Sequence, residues 1–191
     1  MTSRQEEIID RSIEIIATRG IQGLTIRNLS LEIGITEPAI YRHFRSKTDI
    51  LLAILDKFEE ILFFMNEAPV ERKATAPEKL ERIFLRIIEI FSKEPSHISV
   101  IFSEEIFKND RVLKERITGI LKKKRKVIEE ILREGQEKGE IRKDIDPRTL
   151  SLIVMGSLRF MIKQWDLHDQ HENLLKEGKK LIEGIQTILK N

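Results

Sequence analysis

The side chains with chemistry to offer crowd into one short stretch. Arg42, His43 and Arg45 stand around Ile40 and Phe44, whose spacing marks the inward face of a helix. Tyr41 and His43 then fall on the flanks of that face, where a free aromatic ring has no obvious core role. Cationic and hydrogen-bonding groups set this way suit recognition rather than bond-breaking. No nucleophile–base pair, phosphate-binding glycine loop or metal cluster accompanies them, so the pattern does not point to an enzyme.

Two other groupings read blandly. His168 and His171, beside Asp166 and Asp169, have a spacing that could hold a metal on a helix. They lie near a helix boundary and no Cys supports them, so neither a metal nor a cofactor is expected. Residues 122–126 are all Lys or Arg. On a helix they spread over every face, and Glu129 and Glu130 can reach back to Arg125 and Lys126, so the run is expected to be a solvated face.

The elements that must position Tyr41 and its neighbours are legible around them. Thr25 can cap a helix whose inward face is Ile26, Leu29 and Ile33. Gly34 follows, where a positive φ often ends a helix. Thr36 can cap the next helix, and Pro38 sits in its first turn, where a missing N–H costs nothing. Ser46 with Asp49 makes a capping-box-like start to a third. Two short helices joined by a tight glycine turn are a helix-turn-helix, so 25–49 is read as a DNA-binding motif.

Composition bounds the rest. The chain has 191 residues, 40% hydrophobic and 35% charged, with no Cys and a net charge of +2. That excludes disulfides and thiolate chemistry, and it excludes attraction to nucleic acid by bulk charge alone. The polar N-terminus has no signal-peptide core, and no apolar run approaches a membrane span, so a soluble cytoplasmic protein is expected.

Helical periodicity fills the remainder. Helices are expected over 3–19, with Gly20 as its stop, and over 47–67, 77–93, 96–108, 110–138, 147–166 and 171–190. Pro69 and Pro95 act as breakers and Asp110 and Asp146 as caps. No strand pattern occurs. The fold class is therefore all-α, with about nine helices: a DNA-binding domain over 1–46 and a helical bundle over 47–191. The helix 147–166 is apolar nearly all round, which implies burial on more than one side. The last helix carries Leu174, Gly178, Leu181, Ile185 and Ile188 as a narrow packing seam.

The run GLTIRNLSLEIGITEPAIYRHFRSKTDIL resembles the TetR family of transcriptional regulators across about residues 5–55. The likeness lies in Gly23–Leu24–Thr25, the Ile33–Gly34–Ile35 turn, Tyr41–Arg42–His43–Phe44 and Lys47–Thr48. It implies that 37–44 enters the major groove of double-stranded DNA. Thr36, Glu37, Pro38, Ala39, Tyr41, Arg42 and His43 would line the DNA side, with Arg27 beside them and Thr25 and Lys47 at helix N-termini. Arg42 is the candidate for guanine, and Tyr41 and Lys47 for phosphate.

The resemblance also implies a homodimer on a pseudo-palindromic operator and a small, largely apolar effector in the bundle. Candidate effector contacts are Phe58, Leu62, Met65, Phe84, Ile87 and Phe91. His97, Ile101, Phe102, Ile117, Leu121, Phe160 and Gln164 complete that set. Candidate dimer contacts are Leu152, Met155, Gly156 and Arg159, with the 174–188 seam. The expected function is a ligand-released repressor. The alternative is a helix-turn-helix protein with no small-molecule inducer, acting with a protein partner.

Overall fold

The computed structural model describes residues 1–66, 73–168 and 173–190. Pro69, Asp169 and His171 lie outside the described residues. Among these, the regular structure is ten α-helices and a short 3-10 turn, with no strand. The chain forms two compact units, Met1–Ile61 with Pro95–Thr118, and Leu62–Glu94 with Gly119–Asn191.

The first unit holds α1 (Ser3–Gly23), α2 (Ile26–Ile33), α3 (Glu37–Tyr41), α4 (Lys47–Ile61), α6 (Ser96–Ile101), α7 (Glu104–Lys108) and the start of α8 (Arg111–Glu137). Helix α1 begins at a capping box between Thr2 and Gln5 and is broken at Gly20, where φ is 67°. Its inward isoleucines, Ile8, Ile9, Ile13 and Ile16, are almost wholly buried, each stabilising by about 1.5–3 kcal/mol. Helix α1 packs against α2, α4 and α6. Ile40, Ile50, Ile54 and Leu55 close the same core.

The second unit holds α5 (Ala76–Lys93), the rest of α8, α9 (Pro147–Leu167) and α10 (Leu174–Leu189). Thr75 and Glu78 form a capping box on α5. Asp146 accepts from the Thr149 amide at 3.0 Å to start α9. Helix α10 packs on α5 and α9. A buried lysine, Lys79, is paired with Glu134 at 2.7 Å.

Four expectations change. The helix expected over 47–67 ends at Ile61 and gives way to a 3-10 turn over Phe63–Asn66. Within the second unit, Lys124 donates to the Leu62 carbonyl at 2.8 Å, and a cation is what the free carbonyls of a helix end prefer. The run 122–126 is accordingly not all solvated: Lys124 is buried, because the helix turns one member of the run inward. The helix expected over 96–108 is two helices, broken where Ser103 is extended (φ −89°, ψ 101°). Finally, α9 buries only one side, Leu150, Val154, Leu158 and Ile162. Its other side leaves Leu152, Ile153, Phe160 and Leu167 exposed.

Candidate nucleic-acid interface

The motif is built as its capping residues require. Thr25 accepts from the Asn28 amide at 3.0 Å, and Asn28 donates from its side chain to the Gly23 carbonyl at 2.8 Å. Gly34 ends α2 in the left-handed region (φ 76°, ψ 31°), and the Gly34 and Ile35 amides both bond to Ser30 O at 3.0 Å. A side chain at Gly34 would be strained by φ alone. Thr36 has the extended backbone of an N-cap, but its hydroxyl makes no cap bond. Pro38 occupies the first turn of α3, and the bonds from Arg42, His43 and Phe44 to Pro38 and Ile40 carry the turn to residue 44.

This scaffold sorts the side chains. Ile40 and Phe44 are buried. Thr25, Arg27, Thr36, Glu37, Pro38, Tyr41, Arg42 and Arg45 are exposed, while Ala39, His43 and Lys47 are half-buried. Tyr41 keeps half of its surface, at 50%, although it is an aromatic residue beside a core. Among the described residues, Arg27 and Arg42 have no ion pair, whereas Arg19 takes Glu32 at 3.1 Å. The free donors are therefore the outward ones. The start of α4 is set by Ser46, which accepts from the Asp49 amide at 3.1 Å, and by Asp49, which accepts from the Arg45 amide at 3.0 Å.

Lys47 stands at the start of α4 and also bonds within the chain. Its ammonium donates to the Ile21 carbonyl at 2.8 Å, tying the end of α1 to the start of α4. Partial burial holds its pKa below the ordinary lysine value. Beyond the bond to Ile21, the ammonium has two further N–H groups for another acceptor.

Two residues of this region escaped sequence reasoning. Thr48 donates to Asp110 at 3.0 Å, and Arg116 bridges Asp56 at 2.6 Å and Glu59 at 2.5 Å. These partners lie about sixty positions apart, and no local pattern announces such a pair.

The candidate effector contacts divide between the units. In the first, Phe58, His97, Ile101 and Ile117 are buried and Phe102 is half-buried. In the second, Leu62, Met65, Phe84 and Phe91 are buried and Ile87 is half-buried, but Leu121, Phe160 and Gln164 are exposed. Gln164 borders an open cleft of about 280 Å³ with Met161, Trp165, His168, Leu174 and Glu177. Among the described residues no group of His, Asp and Glu has metal-binding geometry.

The dimer seam also needs correction. Leu174, Gly178 and Ile185 are buried within their own chain. A Cβ on Gly178 would stand 2.1 Å from Ile88 Cδ1 of α5, so this glycine serves a close approach inside the unit. The four/three spacing is the same for either partner, which is why the sequence could not separate them. Leu181, Met155 and Arg159 are half-buried, while Leu152, Gly156 and Ile188 are exposed.

Comparison with known proteins agrees with this architecture. The family described as "Bacterial regulatory proteins, tetR family" matches residues 8–54, and "YsiA-like protein, C-terminal region" matches residues 55–187. The fatty acid metabolism regulator protein of Bacillus subtilis is 26% identical over 186 residues, covering 97% of this chain and 95% of that one. The crystal structure of the regulator FadR from Bacillus subtilis in complex with stearoyl-CoA superposes with a TM-score of 0.83 at 24% identity, covering 96% and 98% of the two chains. The ketosteroid transcriptional regulator of Mycobacterium tuberculosis gives 0.82 at 19% identity, covering 100% and 97%. With its helix-turn-helix and its C-terminal helices each matched over nearly their full length, the chain belongs to the TetR family of bacterial regulatory proteins.

Proposed function

We propose that this DNA-binding regulator is a repressor whose hold on its operator is released by a long-chain acyl thioester. Membership of the family makes the chain a transcriptional regulator that binds operator DNA as a dimer. The acyl thioester is our reading, and one observation carries it. The similarity to a fatty acid metabolism regulator runs through the whole chain, including the C-terminal helices, rather than stopping at the DNA-binding motif. In this reading 1–46 reads DNA, and 47–191 binds the effector and the second copy. The protein works in the cytoplasm and is not an enzyme.

The DNA face is Thr25, Arg27, Thr36, Glu37, Pro38, Ala39, Tyr41, Arg42, His43 and Lys47. Arg42, exposed and unpaired, has the planar fork that matches guanine, while Tyr41 and the α4 N-terminus at Lys47 meet phosphate. The effector's acyl chain lies among the buried candidates such as Phe84 and Phe91. The copies meet on the exposed side of α9, at Leu152, Gly156 and Phe160.

The test is selection of duplexes from a random library by the purified protein, followed by melting of the protein with stearoyl-CoA. Enrichment of a pseudo-palindrome and a raised melting temperature with stearoyl-CoA, absent with coenzyme A alone, support the reading. An enriched palindrome with no response to any acyl-CoA removes the effector and leaves regulation through a protein partner.

A further inference from the structure

Helix α4 follows α3 after a short connection, so whatever fixes the start of α4 also fixes the recognition helix. Three sets of bonds converge there. Ser46 and Asp49 cap α4 locally. Lys47 reaches back to the Ile21 carbonyl. The third comes from far along the chain: Asp110, the N-cap of α8.

The Asp110 carboxylate serves two helices with its two oxygens. Oδ1 accepts from the Val112 and Leu113 amides at 2.9 and 3.2 Å, which caps α8. Oδ2 accepts from the Thr48 hydroxyl at 3.0 Å, which holds the first turn of α4. One helical turn and a half further along α8, Arg116 bonds to both Asp56 and Glu59 of α4. In sequence the pairs are separated by 62, 60 and 57 positions. The near-constant offset means that α4 and this part of α8 run side by side in the same direction. Two polar contacts at different heights fix both the sliding and the rotation of one helix against the other, which a greasy contact alone does not.

We propose that Asp110 is a positioning residue for DNA binding: through Thr48, with Arg116 as the second contact, the start of α8 sets the place of α4 and hence of α3. This rests on the reading of the chain as an operator-binding regulator. The tie acts by ordering the recognition helix before DNA arrives, so that less freedom is lost on binding. The same carboxylate caps α8, so a shift at the α8 start cannot occur without a matching change at α4.

A double-mutant cycle tests this with the full-length protein and the duplex that the wild-type chain enriches from a random library. Thr48→Val removes the hydroxyl and leaves the α8 cap intact. Asp110→Ser keeps a good cap and is too short to reach Thr48. The expected result is a loss of duplex affinity of about three- to tenfold for each variant, with no further loss in the double variant. Thr48→Ser should restore wild-type affinity, and melting temperatures should stay close to wild type throughout. Additive losses would overturn the proposal, because they would mean that Thr48 acts on DNA by itself and not through Asp110. Unchanged affinity in both single variants would overturn it equally. A wild-type chain that enriches no duplex contradicts the underlying reading, and this proposal falls with it; enrichment followed by additivity sinks the proposal alone.

Discussion

Arg42 and Gly178 show what single positions carry. Arg42 is exposed at the C-cap of α3, with no ion pair among the described residues. Arg42→Ala should weaken binding to the enriched duplex by about 1–3 kcal/mol and relax its preference at one base position, measured by anisotropy on single-base variants. A uniform loss over all variants would make Arg42 a phosphate contact instead. Gly178→Ala should cost about 1–3 kcal/mol of stability, because the new methyl group meets Ile88. Gly119→Ala, in a helix and with open space around its Cα, should be neutral or stabilising by up to about 1 kcal/mol. Thermal melts compare the two. The outward placement of Arg42 could be read from sequence because its neighbours Ile40 and Phe44 fix the buried side. The task of Gly178 could not, because a small residue looks the same against α5 as against a second copy.

At the scale of elements, local signals did most of the work. The caps at Thr25, Ser46, Asp110 and Asp146 stand where residue type placed them, because a cap depends on neighbours within four positions. The end of α4 and the break between α6 and α7 were not legible. The first involves Lys124, sixty-two positions from the carbonyl it meets, and the second lies in a stretch without Gly or Pro. Carboxylates at these junctions share an acid response. The Leu113 amide, then the Thr48 hydroxyl, hold the Asp110 carboxyl below the usual range. Lys138, then Lys79, do the same for Glu134. A depressed folded pKa gives stability that is complete above the unfolded value of about 4 and is lost as pH falls through the folded value. Stability followed by circular dichroism should therefore hold from neutrality to about pH 5 and fall below about pH 4. A loss already present near pH 6 would contradict this assignment to the two carboxylates. Ser46→Ala should lower the melting temperature by about 2–4 °C through the lost cap of α4.

At the scale of the molecule, charge and surface tell different stories. The stretch 25–49 holds four cations against three carboxylates, so DNA affinity must come from placement rather than from net charge. The apolar surface is concentrated instead on the outer side of α9, where Phe160 keeps 64% and Leu152 55% of their area. Sequence reasoning put Phe160 among the effector contacts, since an apolar residue announces burial but not by what. Phe160→Asp should convert a dimer to a monomer in sedimentation and reduce affinity for a palindrome sharply, because each half-site alone is a short motif. A dimer that survives the substitution would move the interface elsewhere. In the reading proposed here, one chain joins operator binding to an acyl thioester. The most direct measurement is anisotropy of the enriched, labelled duplex bound to wild-type protein, titrated with stearoyl-CoA and, separately, with coenzyme A and with stearate. On that reading, stearoyl-CoA releases the duplex in a saturable way while coenzyme A does not. A duplex that stays bound at saturating stearoyl-CoA, or is released equally by coenzyme A, would contradict it.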